Sequence, residues 1–230
     1  TDSERLIGNA AKNQSSQIKV MGIGGGGSNA VNYMYVNGIS GVDFVVCNTD
    51  SQALEASPVP IKIQLGADLT EGLGAGSNPE IGKKAAEESQ DKITELLDAN
   101  TKMLFLTAGM GGGTGTGAAP VIAEIAKEKN ILTVGVVTNP FSTEGGFRKK
   151  YAENGIIELK KYVDTLLIIN NDKLIEVYGD LTFTQAFGKA NEILNTATKG
   201  IAEVISQHLL VNIDLNDARK VLENSGTAVM

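Results

Sequence analysis

The apolar positions of this chain fall in short continuous runs instead of alternating with polar ones. Ile18–Ile23, Asp43–Asn48, Val59–Leu65, Met103–Ala108, Ile131–Val137 and Thr165–Asn170 are each short, bulky and uninterrupted, so they read as strands buried on both faces. Pro58 and Pro60 place the third of them near a sheet edge, because proline cannot donate to a ladder. Between the runs the spacing is compatible with helices: Asn29 to Val36, a segment opened by Asn78-Pro79-Glu80, Ala118 to Lys129 with Pro120 in its first turn, and Phe147 to Tyr162. At the second of these Asn78 can cap, Pro79 is pre-set for a first turn and Glu80 opposes the positive helix end.

After the sixth run the pattern changes. A short helix, Asp172 to Val177, precedes a long amphipathic one from about Thr184 to Leu210, in which Ala186, Ala190, Ile193, Leu194, Ala197, Ile201, Val204 and Ile205 recur at three- and four-residue steps. The connection VNIDLND leads to a last helix carrying Ala218, Val221 and Leu222, stopped by Ser225-Gly226. Thr227 to Met230 reads as the start of a strand whose sheet is absent from the chain. Strand–helix alternation with right-handed crossovers predicts an α/β fold: a doubly wound, mostly parallel six-stranded sheet in Rossmann-like order 3-2-1-4-5-6, helices on both faces, followed by a long central helix. The expected organisation is an arm over 1–17, a nucleotide-binding unit over 18–182, the central helix with its following loop and helix over 183–226, and the start of a further domain at 227–230.

Composition narrows the function classes. The chain has 230 residues, 42% of them apolar, enough for a substantial core, and a net charge of -7, which argues against a broad grip on nucleic acid or anionic membrane. One cysteine (Cys47) and one histidine (His208) are too few for an internal disulfide or a zinc site, and a reducing cytosol is expected. No apolar run approaches the roughly 20 residues of a membrane span, and the first 17 residues lack the apolar centre of a signal peptide.

Glycine is the unusual component. Of its 27 residues, 16 gather at 22–27 (GIGGGG), 72–76 (GLGAG), 109–117 (GMGGGTGTG) and the pair Gly145 and Gly146. The two richest clusters follow strands 1 and 4, which are neighbours in the expected order, and each leads into a helix. Exposed N–H groups and two positive helix ends would therefore converge on one crevice, an arrangement suited to a polyanion such as a nucleotide's phosphates. A single cluster could be only a tight strand-to-helix turn. Gly22, Gly24 and Gly27 also satisfy GxGxxG with Asp50 at the end of strand 2, so an NAD-dependent oxidoreductase competes, but that reading leaves GMGGGTGTG without a role. Neither cluster is followed by the lysine of a Walker A loop, so backbone and hydroxyl groups must hold the phosphates.

GMGGGTGTGAAP at 109–120 closely resembles the signature loop of the tubulin/FtsZ superfamily, and six further segments resemble its bacterial FtsZ branch in the same order. They are GIGGGGSNAV at 22–31, NTDSQAL at 48–54, GLGAGSNPEIG at 72–82, NPFSTEG at 139–145, NNDKL at 170–174 and NIDLND at 212–217. The resemblance implies a GTP-binding and GTP-hydrolysing cytoskeletal subunit, cytoplasmic at the bacterial division site, that polymerises head-to-tail with itself and uses GTP, GDP and Mg²⁺. It implies no nucleic-acid partner and no membrane insertion. Membrane-tethering and regulatory division proteins would bind mostly through a C-terminal tail that this chain lacks, and a truncated fragment with weak assembly and hydrolysis is the alternative.

The resemblance also distributes roles. Gly25, Gly26, Gly27, Ser28 and Asn29 would wrap the nucleotide, Gly113, Thr114 and Gly115 would hold its phosphates, and Gly74, Ala75 and Gly76 would sense the γ-phosphate. Glu144 would meet the ribose and Arg148 the phosphates; their four-residue spacing also fits a surface ion pair on one helix face. Phe187 would offer an aromatic surface to the base, where core packing is the bland reading. Asn191 stands where the family frequently has Asp, which bears on how strictly guanine is selected. Asn212, Asp214 and Asp217 would reach over the nucleotide of the next subunit and polarise the attacking water, although Asp214 as an N-cap and Asp217 in a first turn would explain both carboxylates structurally. Cys47 and His208 are expected in a buried strand and on a helix surface, without catalytic partners.

Overall fold

The computed structural model describes residues 16–210, 220 and 226–229. Its sheet is parallel throughout, built from β1 (Ile18–Ile23), β2 (Asp43–Asn48), β3 (Ile61–Gln64), β4 (Met103–Gly109), β5 (Leu132–Asn139), β6 (Thr165–Asn170) and β7 (Gly226–Val229), in the order β3-β2-β1-β4-β5-β6-β7. The expected six strands and their order are thus present. The terminal segment differs from expectation, because β7 pairs with the free edge of β6, Thr165 opposite Gly226 and Ile168 opposite Val229. An edge strand offers unpaired amides and carbonyls, and a following extended segment satisfies them without needing another sheet.

Helices cover both faces. On one lie α4 (Pro79–Glu88), α5 (Gln90–Asp98), α6 (Thr114–Glu128) and α7 (Gly146–Lys160), packed over Met21, Ile23, Val45, Cys47, Leu104 and Leu106. The opposite face carries α1 (Gly24–Asn37), α2 (Ser51–Ala56) and the long α9 (Phe183–Leu210) over Val20, Val46, Phe105, Val134 and Val136. Successive strand residues feed opposite cores, which is why the runs in the sequence are continuous instead of alternating. Two short helices, α3 (Ala67–Thr70) and α8 (Asn171–Tyr178), complete the connections. Among the described side chains of α9 the buried ones include Ala186, Ala190, Leu194, Thr198 and Ala202, a four-residue stripe of mostly small side chains that lets the helix lie close, with Ile193 and Ile201 partly buried beside it.

Two helix starts lie earlier than the apolar pattern predicts. α1 begins at Gly24 and α6 at Thr114, inside the glycine clusters themselves. Pro120 is consequently not in a first turn but in the helix interior, where its missing N–H leaves the Thr116 carbonyl without its usual donor. Glycine lowers helix propensity, which hid these first turns from a pattern-based reading; tertiary crowding explains their presence. A Cβ on Gly27 would collide with the Thr107 carbonyl, one on Gly24 would lie 2.8 Å from the Gly115 nitrogen, and one on Gly117 would strike the Pro79 carbonyl.

Candidate functional site

Ile23 and Ala108 are paired across β1 and β4, so the segments leaving these strands start side by side. From there α1 and α6 run into opposite layers with their N-termini meeting at Gly24 and Gly115. Neither helix start has a side-chain cap, whereas Asp50, Asn78 and Asn170 cap α2, α4 and α8. Two sets of first-turn amides therefore lack an intrahelical partner at the mouth of a cavity of about 470 Å³. Their partial positive charge and open donors make an anion site.

Of the residues expected there, Gly25, Gly26, Gly74, Ala75, Gly113, Thr114, Gly115, Glu144, Arg148, Phe187 and Asn191 line this cavity. Gly27 and Ser28 are buried and are not among the lining residues; Gly27 supports the turn from beneath, and Ser28 Oγ has no hydrogen-bond partner. Asn29 and Gly76 are exposed and also outside the lining. Asn212, Asp214 and Asp217 lie outside the described residues.

Glu144 and Arg148 do not share a helix face as their spacing suggested. Glu144 ends a 3₁₀ turn (Ser142–Glu144), Arg148 belongs to α7, and Gly145, with φ of 103°, breaks the path between them. They still approach, Arg148 Nη1 lying 3.8 Å from Glu144 Oε1, while Glu144 Oε2 accepts the Phe141 N–H at 2.7 Å. Asp50 is similarly occupied, its Oδ1 accepting the Gln52 and Ala53 N–H groups. Arg148 is the one cation among the lining residues. Phe187 packs on Phe141 with ring centroids 5.3 Å apart and an interplanar angle of 89°, yet remains 44% exposed, so packing and presentation to the cavity coexist.

Several lining residues were given no role in the site from the sequence: Asn48, Thr49, Thr138 and Asn171, while Asp50 entered only through the competing dinucleotide reading. Each stands at or just beyond the carboxyl end of a strand, the rim where open α/β sheets bind ligands, and that position was the available signal. Thr49 Oγ1 and Thr114 Oγ1 are 2.7 Å apart, and Asn171 Oδ1 is buried without a partner. The loop over residues 71–77 forms one wall, with positive φ at Glu71, Gly72, Gly74, Gly76 and Ser77. It is tied to the end of β2 by an Asp50–Leu73 bridge and by the Ser51 N–H donating to the Gly72 carbonyl at 3.1 Å. Burial pushes the Cys47 thiol up to about 12, so it is neither a nucleophile nor a ligand at neutral pH.

The described residues contain no helix long and apolar enough to cross a membrane. Residues 17–179 match the family model described as Tubulin/FtsZ family, GTPase domain. The chain is 53% identical over 218 residues to the cell division protein FtsZ of Coxiella burnetii, covering 94% of this chain and 56% of that protein. The FtsZ of Wigglesworthia glossinidia brevipalpis is likewise 53% identical over 214 residues. Among solved structures, an FtsZ dimer from M. jannaschii superposes with a TM-score of 0.87 at 41% identity, over 99% of this chain and 66% of that one. CetZ2 from Haloferax volcanii, at 22% identity and a TM-score of 0.76, shares the fold. The chain spans about half the length of the curated relatives it matches.

Proposed function

The chain belongs to the tubulin/FtsZ family and contains its GTPase domain, and from that premise we propose that it binds and hydrolyses GTP as a head-to-tail polymerising subunit of a bacterial division filament. The observation that carries this reading is the convergence of two uncapped helix N-termini and Arg148 on one cavity. A triphosphate lies with its β and γ phosphates on the first turn of α6, at Gly113, Thr114 and Gly115, and on Gly25 and Gly26 of α1. Gly74 and Ala75 close over its γ end, and Phe187, Asn171 and Asn191 meet the base. Gly27 and Ser28 support the first turn of α1, and Asn29 and Gly76 flank the site.

Mg²⁺ fits this site as part of the nucleotide. Among the described residues no group of three or more His, Cys, Asp or Glu side chains could hold a metal, so phosphate oxygens, water and neighbouring hydroxyls would coordinate it. When bound it neutralises phosphate charge. The protein's own contribution is placement: amides and Arg148 stabilise charge on the equatorial oxygens while a water is held in line with the leaving β-phosphate oxygen. That water forms the new O–P bond as the β–γ bridge breaks, and its proton passes to a carboxylate or to solvent.

Both lining carboxylates already accept backbone N–H groups, Asp50 through Oδ1 and Glu144 through Oε2, and we assign activation of the water to groups outside the cradle. Asp214 and Asp217, with Asn212, supply it from an adjacent subunit. Exposed Leu73 and Phe147, 84% and 80% accessible beside the cavity-lining residues Gly74 and Arg148, support burial of this rim by another copy. Hydrolysis per subunit then rises with protein concentration. Arg148→Ala and Asp214→Ala each lower turnover by about a hundredfold or more. Mixed in equal amounts, they recover about a quarter of wild-type turnover, because random head-to-tail contacts pair an intact cradle with an intact acidic loop at one interface in four. No recovery under conditions of assembly would exclude the shared site; calorimetric binding of NAD in place of GTP would exclude the nucleotide assignment.

A further inference from the structure

Thr114 is the first residue of α6 and lines the cavity. A hydroxyl carries one hydrogen, so its usefulness to an anionic ligand depends on where that hydrogen points. Its protein partner is Thr49, just beyond β2, at 2.7 Å and 1% exposed, with either oxygen able to donate. A phosphate oxygen accepts only. Once one is bound, the Thr114 hydrogen must turn to it, and the Thr114 oxygen must accept from Thr49.

We propose that Thr49 is a positioning residue for phosphate binding: its hydroxyl donates to Thr114 Oγ1 and thereby aims the Thr114 hydrogen at the nucleotide. This rests on the reading of Thr114 as a phosphate ligand given above. Thr49 is well placed for the task. Its N–H is fixed by Asn48 Oδ1 at 2.9 Å, and the following Ser51 N–H holds the Gly72 carbonyl, so the same short segment joins the 71–77 loop to the start of α6. A valine would fill the buried volume equally well but leave the Thr114 oxygen without its donor.

The test is equilibrium binding of GTP, GDP and guanosine to the full chain and its variants, alongside thermal melting. Thr49→Val is expected to weaken GTP and GDP about tenfold, the effect of one such hydrogen bond, while guanosine, which has no phosphate, binds as before. Thr49→Ser restores the wild-type ratio of GTP to guanosine affinity. In a Thr114→Val background, Thr49→Val adds nothing further, since the hydroxyl it serves is already gone. Should Thr49→Val fail to fold, Thr49→Ala, which removes volume from the site, gives the same comparison. Equal weakening of guanosine and GTP would overturn the proposal in favour of a purely structural pair, as would undiminished GTP binding by Thr49→Val or additive losses in the double variant. Failure of the unaltered chain to bind GTP would instead overturn the nucleotide reading, and this inference with it.

Discussion

The two ends of the sheet are built differently. At the carboxyl end of the strands, backbones approach so closely at Gly24, Gly27 and Gly113 that a Cβ would lie within 3.0 Å of a neighbouring atom, helix amides are left uncapped, and Ser28 Oγ, Thr107 Oγ1 and Asn171 Oδ1 are buried without partners. At the amino end polar groups answer one another. Lys19, 1% exposed, reaches the Ser16 and Ala99 carbonyls at 3.3 and 3.4 Å and lies 3.6 Å from Asp43. Ser16 in turn donates its N–H to Asp43 and its hydroxyl to the Gly41 carbonyl. Thr101 Oγ1, just before β4, is the buried exception at this end. Open amides and unpaired side chains are more numerous at the carboxyl end, which suits that end to a ligand that would pair them, while the amino end mainly serves the fold.

The largest expected effect separates structure from binding within a single helix turn. An alanine methyl at Gly27 has no space beside the Thr107 carbonyl, whereas one at Gly25 meets nothing within 4 Å. Gly27→Ala should therefore lose more than about 3 kcal/mol of stability, because rigid backbone must move. Gly25→Ala should melt like the wild type and bind GTP about tenfold more weakly, a loss of roughly 1.4 kcal/mol. Denaturant titration and calorimetry on the pair check both; a Gly27→Ala protein of normal stability would remove the crowding argument.

Cys47 offers a label-based measure of the next effect. It is buried in β2 immediately before the cavity residues Asn48 and Thr49, with its thiol displaced to about 12, so alkylation near neutral pH requires the sheet to open. GTP at about a hundred times its dissociation constant should add about 2.7 kcal/mol to the folded state and slow labelling by about a hundredfold. Labelling that ignores GTP would mean that the upper end of the sheet opens without releasing the ligand.

This difference between the ends also sets how much could be read in the sequence. β1, β2 and β6 are found where their apolar runs stand, since strands buried on both faces leave an unbroken signature. The Asn78 cap of α4 was equally readable, its Oδ1 accepting the Glu80 N–H at 3.0 Å. The first turns of α1 and α6 were hidden because the glycines that permit close crossing carry no helical signal. The Glu144–Arg148 approach was readable from spacing, but for the wrong local reason, since Gly145 divides the two elements. Thr49 and Asn171 gave no chemical signal of their own. Their importance comes from strand ends brought together by topology, which single residues do not encode.

The smallest effect belongs to the amino end and concerns pH. Burial pulls the Lys19 ammonium below its ordinary 10.5, and the neighbouring Asp43 offsets only part of that. In the alkaline window between the lowered value and 10.5, the unfolded chain holds a proton that the folded one has shed, so Lys19 makes stability rise with pH there. Below the window both states are charged and the burial cost is constant. Lys19→Met should remove this rise. At neutral pH it should change stability by less than about 1 kcal/mol, because the lost hydrogen bonds are offset by relief of a buried charge. Asp43 is not stranded, as its side chain is 26% exposed and keeps the Ser16 N–H. Urea denaturation across the alkaline range compares the two slopes, and a slope surviving in Lys19→Met would assign it to another group. GTP affinity should be the same in both proteins, since Lys19 is a strand's length from the cavity; a changed affinity would show that the ends of the sheet are coupled.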